Sequence, residues 1–206
     1  MSSFLAFFLA ASLLAITPGP GIAYVVARTV AGGRSEGLAS CLGTALGGMV
    51  HVIALAFGLS ALIAQSALAF SVVKYLGAAY LVYLGIRLLL SRQPVSALPD
   101  ANRSGAVSAF RDGIVVEALN VKTAIFFLAF LPQFVSVSEP LVPQLVLLGS
   151  VCVFLNTLVD VIAVFGASRF LRSSAARAAR ERLLTKASGF TMVGLGIYLA
   201  AAKREA

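Results

Sequence analysis

The chain has 206 residues, of which 60% are hydrophobic and only 12% charged, with a mean hydropathy of +0.98 and a formal net charge of +8. A soluble domain carries roughly 45–50% apolar and about 25% charged residues, so this composition excludes an ordinary soluble core and points to an integral membrane protein. The apolar runs are continuous and about 20 residues long, which favours spanning helices over the alternating segments of about 10 residues found in barrels.

Six spans are predicted, at 4–27, 38–63, 70–90, 114–134, 141–165 and 183–202. No Lys or Arg precedes the first apolar run and no small-x-small site ends it, so span 1 is expected to be retained rather than cleaved as a secretory signal. It contains "ITPGPG", with Thr17, Pro18, Gly19, Pro20 and Gly21. Both prolines lack an N–H and their rings clash with the preceding turn, so the helix must kink or open there. Gly19 and Gly21 permit the unusual backbone angles. Opened backbone is tolerated in lipid only against protein or a wet cavity. A broken helix offers carbonyls to an ammonium and N–H groups to a carboxylate, which suits a zwitterion. The alternative is a plain proline kink that shapes the bundle.

In span 2, Gly43, Gly47 and His51 recur every fourth residue. The glycines make a helix-packing face. His51 follows them as either a hydrogen-bonded packing residue or a proton relay. After span 3, "SRQPVSALPDANRSG" is the one long polar stretch. It divides a single transmembrane domain, 1–206, into half 1 (1–91), a linker (92–105) and half 2 (106–206). Span 4 carries Glu117, Asn120, Lys122 and Thr123 in an oily segment, and span 5 carries Asp160 with Asn156 one turn earlier. Ionisable groups inside a membrane cost at least ~2.5–3.5 kcal/mol each on insertion scales and mark cavities or partners by default. Glu117, His51 and Asp160 are therefore candidates for proton coupling, with Asp160 first. Lys122 is the candidate for a substrate carboxylate, and a static pair with Glu117 or Asp160 is its bland alternative. Phe126, Phe127, Phe130 and Phe134 are expected to face core or lipid. Cys41 and Cys152 read as packing residues, and no metal site or cofactor is expected.

The halves resemble each other weakly. "VHVIA" at 50–54 matches "VDVIA" at 159–163, and "LGI" at 84–86 matches "LGI" at 195–197. A repeat of three spans must insert the second time upside down. The expected fold is thus an all-α integral membrane protein of six transmembrane helices, arranged as two inverted three-helix repeats, with the first helix broken at Pro18–Gly19–Pro20. Such repeats place a substrate site at mid-membrane on their interface. Basic residues gather in the loops after spans 1, 3 and 5, among them Arg28, Arg34, Arg92, Arg103, Arg172 and Arg177. The other side holds Lys74, Lys203 and Arg204. The positive-inside rule makes the first side cytoplasmic and both termini extracytoplasmic. The arginines of "RFLRSSAARAARERLLTK" have no interleaved aromatics, so anionic lipid rather than nucleic acid is their expected partner.

Four segments carry a family likeness: "ITPGPG", "GTALGGMVHV", "YLGAAYLVYLGIRLL" and "LNVKTAIFFLAFLPQFV". On these, essentially the whole chain resembles the lysine exporter (LysE/RhtB) family of amino-acid exporters. Asn120, Lys122, Phe126, Phe127, Pro132, Gln133 and Phe134 match its span-4 pattern. Val121 stands where proline is usual, which predicts a softer break, and Glu117 stands where a neutral residue is commoner. The resemblance implies a small exporter of the bacterial inner membrane, driven by the proton gradient and moving amino acids or their derivatives. It implies no enzymatic activity. Its substrate would be bound by Thr17–Gly21, Asn120, Lys122 and Thr123. Small bundles often pair, so a homodimer is one expected assembly. A metal or inorganic-cation exporter on a related scaffold is the alternative, ahead of a lipid translocase or membrane enzyme. One His and two isolated Cys supply few of the ligands that a metal route needs.

Overall fold

In a computed structural model, the described residues are 2–65, 67–90, 105–136, 138–170 and 174–201. Among them every regular element is a helix: α1 (Ser2–Ile16), α2 (Pro20–Gln65), α3 (Ala67–Leu90), α4 (Ala106–Ala118), α5 (Val121–Phe130), α6 (Leu141–Phe170) and α7 (Ser174–Ala201). A 3-10 turn, Leu131–Phe134, extends α5. The linker at 92–104 and the basic residues Arg92, Arg103, Arg172, Lys203 and Arg204 lie outside the described residues.

The helix expected over span 1 stops at Ile16 and restarts at Pro20, leaving Thr17–Gly19 outside helical geometry. Pro20 then stands at the first helical position, where a missing N–H costs nothing and the fixed φ already suits a helix. A loop was expected at 28–37, but helix continues through it with a single reversal at Gly33. Its φ of 77° and ψ of −170° fall in a region essentially restricted to glycine. The two limbs of α2 fold back on one another. A Cβ built on Gly37 would lie 3.1 Å from the Thr29 Cβ, and one built on Gly21 would lie 4.0 Å from the Thr44 Cγ2. In a straight helix residues 21 and 44 would stand about 34 Å apart. The limbs are therefore an antiparallel hairpin turned by one glycine.

Span 4 begins earlier than expected, at Ala106, and bends by 46° between α4 and α5. The usual proline is missing, yet the break forms, because Asn120 takes extended angles (φ −74°, ψ 100°) and accepts the Lys122 N–H with its side chain at 3.1 Å. That is an N-cap, and asparagine is among the strongest residues for one.

Small residues set the helix contacts. A Cβ on Gly47 would sit 2.6 Å from the Ile114 carbonyl oxygen, and one on Gly113 would sit 2.9 Å from that of Ser40. The Gly43–Gly47 face thus lets α2 and α4 touch backbone to backbone. Between α3 and α7, Gly85 meets Gly189 and Ala78 meets Gly196, so the numbers rise along one helix and fall along the other. These two helices run antiparallel. Phe7, Phe126, Phe127, Phe130 and Leu145 are fully buried at the centre, with Phe126 stacked on Phe130 at 4.6 Å between centroids. Cys152 belongs to this core and Cys41 to a smaller cluster with Val25 and Val164, and both are free thiols.

The outer surface is oily: Phe4, Leu5, Phe57, Leu76, Phe154 and Phe190 are all exposed. Residues Pro20–Gly58 and Leu141–Gly166 are long and apolar enough to cross a bilayer, as are α4 and α5 taken as one bent span. The chain is a helical membrane protein.

Candidate functional site

The two interrupted helices face each other. The last carbonyls of a helix have no partner within it, and α1 ends inside the bundle. Lys122, in the first turn of α5, supplies that partner: its Nζ donates to Thr17 O at 2.8 Å and Leu14 O at 3.4 Å. An ammonium is well placed there, because the carbonyl end of a helix is negative. Among the described residues no carboxylate forms an ion pair with it. The static pairing with Glu117 or Asp160, the bland alternative, is thus not what holds Lys122.

Glu117, in the last turn of α4, lies at the opposite polarity. A Cβ on Gly21, at the start of α2, would come 2.5 Å from Glu117 Oε2. The carboxylate thus lies beside the positive N-terminus of α2. Its Oε1 accepts the Thr123 hydroxyl at 2.6 Å and its Oε2 accepts the Asn120 amide at 2.9 Å. The chain's own cation and anion therefore cap the two ends of the broken span 1. Each comes from one side of the other break. Both are at least nine-tenths buried.

Between them lies a cavity of about 30 Å³, room for roughly two waters at the ~10–15 Å³ each requires on this measure. Thr17, Gly19, Gly21, Glu117, Asn120, Lys122 and Thr123 line it, joined from α2 and α6 by Thr44, Asn156, Thr157 and Asp160. Asp160 accepts the Thr44 hydroxyl at 3.1 Å and is buried. Lys122 is the single basic side chain in this lining, facing the carboxylates of Glu117 and Asp160.

Three residues predicted from the sequence fall elsewhere. Pro18 and Pro20 line a separate apolar cavity on the other face of the break. His51 is outside the polar cavity's lining: its Nε2 donates to the Glu117 carbonyl at 2.8 Å, and its ring meets Phe127 edge-on at 6.2 Å. Gly43 and Gly47 lie on the α2–α4 contact.

Arg28 was counted with the loop charges, but it is buried between both limbs of α2 and the start of α4. It donates to Asp112 Oδ2 at 2.5 Å and to the Tyr24 hydroxyl at 3.0 Å, and it pairs with Glu36 at 3.7 Å. The Tyr24 hydroxyl donates in turn to Ala109 O at 2.9 Å, and Glu36 Oε1 accepts Gly105 N–H at 3.0 Å. One guanidinium thus ties three chain segments about 10 Å along α2 from Gly21, two turns beyond the cavity. Charge counting hides this network. An arginine next to a Gly-Gly reversal with an acid eight residues on was the available signal.

A family model, LysE type translocator, matches residues 12–203. An uncharacterized membrane protein of Vibrio cholerae serotype O1 is 31% identical over 206 residues, covering 97% of each chain. The homoserine/homoserine lactone efflux protein of Salmonella typhimurium is 28% identical over 201 residues, covering 96% of each. The membrane protein YrhP of Bacillus subtilis is 28% identical, covering 96% of this chain and 98% of its own. No solved structure matches.

Proposed function

The chain belongs to the LysE type translocator family, and from that premise we propose that it is a secondary transporter exporting amino acids or small amino-acid derivatives from the cytoplasm, coupled to proton influx. The observation that carries this reading is the cavity where two broken helices meet, holding one lysine and two carboxylates. A zwitterion brings the same pair of charges that Lys122 and Glu117 now present to the ends of α1 and α2. Its ammonium can replace that of Lys122 at the Thr17 and Leu14 carbonyls. Lys122 then turns to the substrate carboxylate, with Asn120 and Thr123 alongside. Asp160 exchanges the proton. Glu117, hydrogen-bonded to Asn120 and Thr123, is the second group able to do so. His51 bears on the site through the Glu117 carbonyl.

A cavity with room for two waters is too small for an amino acid, so this is a closed state and transport requires the helices around it to part. The inverted-repeat reading supports such rocking. Each half has an interrupted helix followed by two longer ones, and α3 and α7, at equivalent places, run antiparallel. Rocking about the breaks would break the Arg28 network when the cavity opens toward the basic loops, which the charge bias puts in the cytoplasm of an inner-membrane protein. Two halves (1–91 and 106–206) joined by a linker in one domain, six spans, both termini outside and a homodimer are parts of the same proposal. The efflux protein of Salmonella typhimurium is a relative, so L-homoserine is the first substrate to try. The cation-export alternative would need clustered His, Cys or carboxylate ligands.

The test uses everted membrane vesicles, in which export appears as uptake. With an acid lumen, labelled L-homoserine should accumulate and an uncoupler should abolish the accumulation. Asp160→Asn should lose gradient-driven accumulation while keeping exchange of labelled for unlabelled substrate. Full accumulation by Asp160→Asn would remove that residue from the coupling.

A further inference from the structure

The Pro18–Gly19–Pro20 segment has two faces. The polar cavity lies against one. Against the other lies a second cavity of about 250 Å³, roughly eight times larger on the same measure. Its wall is mostly apolar, built from Pro18, Leu84, Leu88, Val121 and Met192 with the Tyr80 ring, and it opens to the outer surface where Leu119 and Val121 are exposed. Three residues border both cavities: Gly19, Asn120 and Lys122. The partition is thus thin. On the α1–α2 side it is a glycine with no side chain, and a Cβ there would lie 3.0 Å from Lys122 Nζ and 3.1 Å from its Cε. On the α5 side it is the Lys122 stem, held across the gap by its hydrogen bonds to Thr17 and Leu14 carbonyls.

We propose that the apolar cavity is the side-chain subsite of the transport site. It takes the aliphatic or thioether side chain of an amino acid whose ammonium and carboxylate occupy the polar cavity, so the preferred substrates carry apolar side chains. This rests on the export reading above. The occupant follows from continuity and chemistry. A ligand held by its charged groups at Gly19, Asn120 and Lys122 has this apolar space directly beside it. Once the Lys122 ammonium leaves the α1 carbonyls for the substrate carboxylate, its stem leaves the partition and the two spaces join. Leu84, Leu88, Val121 and Met192 offer no charge to a cationic or anionic side chain, which would lie against apolar surface without a partner. Gly19 is required because any side chain there would keep Lys122 from its place and wall off the subsite.

The test compares L-leucine and L-homoserine transport by the full-length protein in proteoliposomes, for wild type and for Leu84→Trp and Leu88→Trp, which fill the subsite without touching the polar cavity. Wild type should take leucine with a KM at least tenfold below that of homoserine, and L-lysine and L-aspartate should compete with neither. Each tryptophan should raise the leucine KM at least tenfold and raise that of homoserine, whose shorter side chain fills less of the subsite, at least threefold less. Equal effects on both substrates, or none on leucine, would overturn the subsite. So would a lipid acyl chain that co-purifies with wild type and is lost from Leu84→Trp while leucine transport is unchanged. The export reading is separable through the Tm of the purified protein. If neither amino acid moves but leucine raises the Tm of wild type and not of Leu84→Trp, export fails and the subsite stands. If neither movement nor Tm shift occurs, both fail.

Discussion

Replacing Lys122 by methionine keeps the length of the stem and removes the ammonium. In the closed state this deletes the donor to Thr17 O at 2.8 Å and the weaker one to Leu14 O at 3.4 Å. A hydrogen bond to a charged group is worth about 1.5–3 kcal/mol, and the 3.4 Å contact adds little to the 2.8 Å one. The same cation is proposed to meet the substrate carboxylate, so a comparable interaction is lost when substrate is bound. At 1.36 kcal/mol per tenfold in rate, kcat/KM should fall by roughly 10–150-fold. The loss should be larger for a zwitterion than for its methyl ester, which brings no carboxylate to Lys122. The assay is initial-rate uptake of labelled L-homoserine and its methyl ester into everted vesicles, normalised to the amount of inserted protein. Arginine should not rescue the site, because Nζ already lies about 3.0 Å from where a Gly19 Cβ would be and a guanidinium needs more room. Uptake by Lys122→Met within twofold of wild type, or an equal loss for ester and zwitterion, would refute the reasoning.

Three further outcomes follow from the packing. Gly47→Val must push α2 away from α4, since its Cβ alone would lie 2.6 Å from the Ile114 carbonyl oxygen. Overpacking of this kind costs about 1–3 kcal/mol and should lower the Tm of the detergent-purified protein. Arg28→Met leaves Glu36, 3% exposed, without its cation. Removing one partner of a buried pair costs about 3–5 kcal/mol, and Glu36→Gln in the same chain should recover part of it in a double-mutant cycle read by chemical unfolding. Phe130→Ala removes a fully buried ring from the central stack and should cost about 3–5 kcal/mol by the same measurement.

Much of the architecture was legible because breaks and close contacts need particular residues. Two prolines and a glycine must kink or open a helix, so an irregularity at Thr17–Gly19 was visible in the sequence, and the structure takes the open form. The break before Val121 was expected to be soft because proline is missing there; instead Asn120 ends one helix and caps the next with its own side chain, and no ring is required. Gly43 and Gly47 announced a close helix contact through their spacing. Burial of charge was harder to read. Arg28 and Glu36 flank a Gly-Gly turn, where charge ordinarily means solvent, and only the hairpin at Gly33 brings them together, while the packing of α4 brings in Asp112. The matching of His51 with Asp160 by repeat register did not give them matching surroundings. Asp160 faces the polar cavity, whereas His51 turns to a backbone carbonyl and a phenylalanine ring. The second cavity was illegible for another reason. Leu84, Leu88 and Met192 are ordinary apolar residues, and a space among such side chains leaves no pattern along the chain.

The central claim is that substrate occupies the space between the two broken helices. A single cysteine at Thr44, introduced with Cys41 and Cys152 replaced by serine, puts a thiol on that cavity's wall. Its rate of mixed-disulfide formation with a small charged methanethiosulfonate, which releases methanesulfinate, is measured in everted vesicles with and without saturating L-homoserine. The account predicts that homoserine slows labelling at least fivefold and that completed labelling stops uptake. Unchanged labelling in the presence of a transported substrate, with uptake persisting after the thiol is fully modified, would contradict it.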